Sequence, residues 1–227
     1  LPWRINNNSK KKHYYRLLSE FMLQQTQVKT VIPFFNNFVK KIPNLKALSQ
    51  AKEHTILKLW EGLGFYRRAK NLHKSSKILI KKYKGKIPSN FEQLKELPGI
   101  GEYTANILLA LIYNQPRIGI DGNVKRVLFR LFNSEDLYNT ILFKTDRNSD
   151  LAEALMEFGA LICRPKDPKC VVCCLNKSCK YFKSSKKIRT TSKKMIKNKN
   201  YDIFCFLNNK KQIALTKKNN LGFLKNF

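Results

Sequence analysis

Four cysteines fall within one short stretch, at Cys163, Cys170, Cys173 and Cys179, in a C-x6-C-x2-C-x5-C spacing. Thiolates are soft ligands, and four of them can hold a tetrahedral zinc or an iron–sulfur cluster. Zinc commonly uses two short C-x2-C knuckles. Only one short pair exists here, and all four cysteines lie in a single 17-residue loop, which favours a cluster. Cys174 and Cys205 fall outside the pattern and read as bystanders. A second local signal is Leu97-Pro98-Gly99-Ile100-Gly101, which runs into Glu102-Tyr103-Thr104-Ala105 and an apolar stretch. Two glycines flanking one apolar residue between two helices make a helix–hairpin–helix turn, because glycine permits tight backbone geometry and close approach. The first N–H groups of the following helix can then hold a nucleic-acid phosphate, a contact that fixes position and reads no sequence. An ordinary αα turn is the plain alternative.

The whole chain carries 45 Lys+Arg against 15 Asp+Glu, a formal net charge of +30. A polyanionic partner explains such an excess, and nucleic acid is the default. A Lys- and Asn-rich compositional bias also fits, so charge alone supports nucleic-acid binding and nothing finer. Hydrophobic residues make up 43% of the 227 residues, enough for a globular core, and no run of eighteen apolar residues suggests a membrane span. No charged-then-apolar leader opens the sequence, so no secretory signal is expected, although Leu1 is not an initiator Met and a lost leader stays open. Clustered cysteines without a leader point to a metal site in a reducing compartment rather than to disulfides.

The elements that must position these groups are mostly helical. Between residues 14 and 113 apolar residues recur at spacings of three and four, as in Leu17, Leu18, Phe21 and Met22, or Ile56, Leu57 and Trp60. Pro33, Pro43, Pro88 and Pro98 punctuate the pattern, and further helices are expected over residues 124–132 and 151–162. A helical domain is therefore expected over residues 1–182, with the cysteine loop at 163–179. Residues 183–200 are rich in Lys, Ser, Thr and Asn and read as a basic linker. Residues 201–207 and 212–216 look like two strands around a polar turn, taken as the truncated start of a second domain over 201–227.

Several segments together resemble a known family. The hairpin, an aspartate some twenty residues later and the cysteine spacing are similar to the helix–hairpin–helix base-excision glycosylases. Within that superfamily the MutY-type adenine DNA glycosylases are resembled by four segments. These are Leu1-Pro2-Trp3-Arg4, Ser19-Glu20-Phe21-Met22-Leu23-Gln24-Gln25-Thr26-Gln27-Val28, Gly62-Leu63-Gly64-Phe65-Tyr66 and Asp121-Gly122-Asn123-Val124-Lys125-Arg126. The resemblance is dense over residues 1–182 and weak in the tail. It implies a two-lobed helical fold with a 4Fe–4S cluster on Cys163, Cys170, Cys173 and Cys179, followed by a truncated Nudix-like α/β domain that reads 8-oxoguanine.

The resemblance also assigns roles. Glu20 matches the family's acid, which protonates adenine at N7, and Asp121 the carboxylate that stabilises the sugar cation, the two facing each other across a cleft. On residues alone, Glu20 reads as a solvated helix-face residue and Asp121 as a helix N-cap. Asn123 matches a residue supporting the aspartate. Tyr103 stands where bifunctional relatives carry a lysine, so a monofunctional enzyme with water as nucleophile is implied. Gln25 and Tyr66 match residues that insert into the base stack, with Gln24 nearby, and core packing of Phe65 and Tyr66 is the alternative. Arg4 and the hairpin residues Pro98, Gly99, Ile100 and Gly101 are expected to meet DNA. The implied activity is excision of adenine mispaired with 8-oxoguanine or guanine from double-stranded DNA. The implied molecule is a monomer with no membrane association, in the bacterial cytoplasm with the nucleoid, organellar or nuclear sites staying open. The rivals are a thymine–guanine mismatch glycosylase and a non-catalytic damage-binding module.

Overall fold

The computed structural model describes residues 1–4, 10–133 and 145–184. The chain divides into two units, Leu1–Ile188 and Arg189–Phe227, and every described residue lies in the first. Residues 185–200 of the expected linker and all of 201–227, with Cys205, lie outside the described residues.

The described residues form α-helices and no strand. In chain order these are α1 (Lys10–Leu23), α2 (Val28–Lys41), α3 (Leu45–Gln50), α4 (Glu53–Leu59), α5 (Arg67–Tyr83), α6 (Phe91–Lys95), α7 (Glu102–Tyr113), α8 (Gly122–Phe132), α9 (Asn148–Leu161) and the short α10 (Lys180–Lys183). Polar caps set several boundaries. Asn44 accepts from the Ala47 N–H at 2.8 Å, Asn90 from Gln93 at 3.1 Å and Asp121 from Val124 at 2.7 Å. Each satisfies one of the orphan donors of a helix start, an effect of about 1 kcal/mol. At the other ends α5, α7 and α8 stop on left-handed residues, Lys84, Asn114 and Asn133.

The main core gathers residues of α1 to α7, with Tyr14, Leu17, Phe21, Phe35, Phe38 and Trp60 sealed from water. Burying one such side chain contributes about 1.5–3 kcal/mol. A smaller core joins Ile107, Ala110 and Leu111 of α7 to Ala152 of α9. Helix α7 is therefore shared. It packs on α1 and α6 at one side and on α9 at the other, and α9 packs on α8. The result is the mostly α, two-lobed arrangement expected. The N-terminal segment joins both lobes: Trp3 packs edge-on against Phe35 at 5.2 Å, while Arg4 reaches Glu153 and Glu157 on α9. No helix among the described residues is long and apolar enough to cross a membrane.

Candidate active site

Helix α1 carries Glu20 on its inward face, between Leu17, Leu18, Phe21 and Met22, all fully buried. Glu20 itself is only 7% exposed. Burial pushes its carboxyl up to about 7; the Arg16 charge pulls against burial, and the weaker effects of Glu153 and Asp121 push the same way as burial. An acid so placed holds a proton near neutral pH. The other elements present their groups to the same place. Asp121 stands at the N-cap of α8, where Oδ1 accepts from the Val124 N–H and Oδ2 accepts from the Asn123 amide at 3.0 Å. Tyr103, in the first turn of α7, interacts with the charges of both Glu20 and Asp121. Burial raises its phenol above the ordinary range, so it stays neutral, and the hydroxyl donates to Met156 Sδ at 3.3 Å. A Cβ on Gly119 would stand 2.7 Å from the Tyr103 ring, so glycine there lets the chain pass under the ring on its way to Asp121.

The hairpin lies beside the Glu20 end of α1, with Gly99 against Phe21. Gly99 has φ +82°, and a Cβ on it would meet Phe21 and Asn71 at 2.8 Å, so both backbone and space demand glycine. Gly101 caps α7 in an extended conformation, and a Cβ there would meet nothing within 4 Å. The open space lies before the free N–H groups of α7, where an anion is favoured. Gln24 ties the end of α1 to the hairpin by donating to Gly99 O at 3.2 Å. Ile100 is buried in the main core. Pro98 O accepts from Ser75 Oγ at 2.8 Å.

Two loops meet at Arg68, whose place beside Tyr66 and Arg67 in the sequence suits a phosphate-binding cation but whose side chain is buried. Its buried guanidinium donates to Met22 O at 2.8 Å in the last turn of α1, and to Thr26 Oγ1 at 3.0 Å and Gln24 O just after it. It also donates to Leu63 O at 3.2 Å and Gly64 O at 3.0 Å in the loop before α5. Each loop bears an exposed residue at positive φ, Gln25 at 57° and Phe65 at 48°. Phe65 is 60% exposed and its ring lies against Arg68, whereas Tyr66 is half-buried against the main core. The ring that stands out is thus Phe65, one position before the one expected. Arg4 pairs with Glu153 and Glu157 on α9.

The four cysteines Cys163, Cys170, Cys173 and Cys179 line one small, partly open pocket, with Val127 and Arg130 of α8 in its wall. Cys174 is exposed and outside it. Among the described residues, no three His, Cys, Asp or Glu side chains converge on a point as a single ion needs. Burial raises the Cys170 and Cys173 thiols, and for Cys170 the neighbouring sulfurs add to it. Arg130 donates to Cys163 Sγ at 3.4 Å and to the carbonyls of Arg164 and Pro165. Arg126 donates to Cys163 O at 2.8 Å, to Gly159 O at 2.6 Å and to Asn123 Oδ1 at 2.8 Å. One helix therefore holds the Asp121–Asn123 pair at its start and the cysteine loop along its side. Arg126 lay inside a recognised sequence segment, but nothing in the sequence showed its partners.

Fold and site define a helix–hairpin–helix protein that brings a glycine turn beside a buried carboxylic acid and a second carboxyl. Comparison with known proteins agrees. Residues 18–148 match the HhH-GPD superfamily base excision DNA repair protein model. An adenine DNA glycosylase of Buchnera aphidicola subsp. Baizongia pistaciae is 40% identical over 241 residues, covering 99% of this chain and 67% of the relative. One from Buchnera aphidicola subsp. Acyrthosiphon pisum is 41% identical, covering 79% of this chain and 53% of the relative. The chain thus spans between about half and two thirds of the length of these relatives. Among solved structures, a thermostable thymine-DNA glycosylase aligns with TM-score 0.65 and 26% identity over 81% of this chain and 88% of that one. Endonuclease III in a non-covalent DNA complex aligns with TM-score 0.66 over 80% and 87%, at 24% identity, a likeness of fold. The chain belongs to the HhH-GPD superfamily of base excision DNA repair proteins.

Proposed function

We propose that this protein is a monofunctional adenine DNA glycosylase that releases adenine mispaired with 8-oxoguanine or guanine. The observation that carries the reading is Glu20: a buried carboxyl pushed up to about 7, within charge range of Asp121, beside a helix–hairpin–helix turn. Glu20 donates its proton to N7 of the flipped adenine, and the bond between the sugar C1′ and N9 breaks. The Asp121 carboxylate, held by Asn123 and the start of α8, faces the developing sugar cation. Water adds at C1′ and gives its proton to Asp121. Tyr103 offers no amine for a Schiff base, so the product is an abasic site with the strand intact.

The remaining parts serve access. Flipping a base costs a few kcal/mol and leaves a gap in the stack. Gln25 and Phe65, exposed on two loops pinned by Arg68, suit a wedge into that gap better than the half-buried Tyr66. The N–H groups after Gly101 take a phosphate. Cys163, Cys170, Cys173 and Cys179 are the ligands for a 4Fe–4S cluster, supported by four cysteines of one loop lining a shared pocket. Such a cluster would cross-link the loop, and base release needs no redox step. The protein acts as a monomer on duplex DNA in the cytoplasm.

A thymine–guanine activity is the second reading, favoured by the structural likeness to a thymine-DNA glycosylase. Single-turnover reactions on duplexes with A opposite 8-oxoguanine, A opposite G, and T opposite G decide between them, with abasic sites revealed by hot alkali. Adenine release from the first two, lost in Glu20→Gln while duplex binding stays within about tenfold, is the expected result. Thymine release, strand cleavage without alkali, or full activity of Glu20→Gln overturns the reading.

A further inference from the structure

Arg16 lies one helical turn before Glu20 on α1, and residues four apart share a helix face. It is buried, and its charge acts on Glu20. A free guanidinium there would draw Glu20 into an ion pair and remove the proton the acid has to give. The structure sends it elsewhere. Arg16 Nη1 donates to Glu153 Oε1 on α9. The other oxygen, Glu153 Oε2, lies 3.0 Å from Arg4 Nε, and Arg4 Nη2 donates to Glu157 Oε1 at 2.6 Å. Two guanidiniums and two carboxylates thus form a ladder of zero formal charge beside the acid. The Arg16 Nε–H is buried with no hydrogen-bond partner, so this guanidinium leans on Glu153.

We propose that Glu153 is a positioning residue for the acid: it holds the Arg16 guanidinium off Glu20, and Arg4 with Glu157 fixes Glu153 in turn. The proposal rests on the assignment of Glu20 as the acid made under Proposed function. The charged and titratable groups around Glu20 come from five elements. Arg16 shares its helix, Tyr103 comes from α7, Asp121 from the start of α8, Glu153 from α9, and Arg68 of α5 meets the carbonyls that follow at Phe21 and Met22. Helix α2 adds neutral Val31, Phe35 and Phe38 to the core. Burial, Glu153 and Asp121 favour the protonated acid, and Arg16 opposes them. Glu153 therefore acts twice, by its own charge and by occupying its opponent. A role in stability alone is a weak account of the Arg16–Glu153 pair, because buried ion pairs are often replaceable by apolar side chains without loss.

The test compares the pH dependence of single-turnover excision in wild type, Glu153→Gln, Arg16→Gln and the double variant, alongside a carbon-13 NMR titration of the Glu20 carboxyl that needs no substrate. Excision falls as pH rises through the acid's midpoint. In Glu153→Gln the freed arginine pairs with Glu20, and the midpoint is expected to drop by about one unit or more. Excision then falls by about tenfold at pH 8, where the acid is mostly ionised, and recovers at pH 5.5. Arg16→Gln moves the midpoint up, and the double variant returns it near wild type, the signature of two coupled residues. A common loss of rate at every pH with unshifted midpoints is what a merely structural role gives, and it overturns the proposal. If Glu153→Gln does not fold, an unshifted or lowered midpoint in Arg16→Gln overturns it instead. A wild type that releases no adenine, while the Glu20 titration still shifts in Glu153→Gln, sinks the acid assignment and supports the positioning.

Discussion

A carboxyl tuned for proton donation has a consequence for folding. Glu20 is pushed up to about 7 in the folded protein, well above an ordinary glutamate, chiefly by burial. The folded state therefore binds this proton more tightly than the unfolded chain does. The stability it lends is complete below the ordinary glutamate range and is lost as pH rises to about 7, where the buried side chain must ionise. Glu20→Gln removes that titration. The variant is expected to match wild type near pH 4 and to exceed it at pH 8 by on the order of 3 kcal/mol, read from denaturant midpoints at both values. An equal difference at the two pH values would mean that the acid is not held protonated by the fold. Part of this was legible in the sequence, since an apolar run suits the desolvated pocket that a proton-donating carboxyl requires. The apolar run around Glu20 was visible, but an apolar run at helical spacing says which residues pack, not which carboxyl is carried inside with them.

At the scale of elements, much of the design could be read and its cross-links could not. The helical periods at Leu17 to Met22 and Ile56 to Trp60 marked α1 and α4, and Gly99 and Gly101 marked the hairpin, because these signals are local. Phe65 and Gln25 hid their conformation, since a positive φ outside glycine has no residue-type signal. Arg16 and Glu153 are separated by 137 residues and Arg126 and Cys163 by 37, distances over which a single sequence carries no pairing information. Helix α8 shows what such links do. Arg130 stacks on Tyr181 at 4.8 Å and grips the loop through Arg164 O at 2.7 Å, while Cys179 Sγ approaches the Arg130 carbonyl at 3.4 Å. The cysteine loop and the Asp121 end of α8 are thus parts of one mechanical unit. Cys163→Ser is expected to lose most of a complement of about four iron and four sulfide per chain, and to slow excision with it. Metal analysis of protein prepared without oxygen checks this, and stoichiometric zinc without iron would remove the cluster assignment.

At the scale of the whole molecule the net charge of +30 has two possible origins, a function or a compositional bias, and salt separates them. Several of the few carboxylates are already engaged. Glu153 and Glu157 face Arg4, Glu96 meets Lys82 at 2.6 Å, and Asp150 meets Arg147 at 2.7 Å. The unneutralised excess therefore sits on Lys and Arg side chains, which can displace counterions from a duplex backbone. If binding neutralises six or more phosphates, affinity for an undamaged duplex should fall by about 10³-fold or more between 50 and 200 mM salt. The chemical step should respond differently. Screening acts on exposed charges, and Glu20 is 7% exposed. Excision within the saturated complex is then expected to change by less than about twofold over the same range, because the acid and its neighbours are shielded. Equilibrium binding and single-turnover rates across a salt series supply both numbers. A flat binding curve would return the charge to composition, and a rate that falls in step with affinity would mean that the cleft is open to solvent ions, against the burial on which the acid depends.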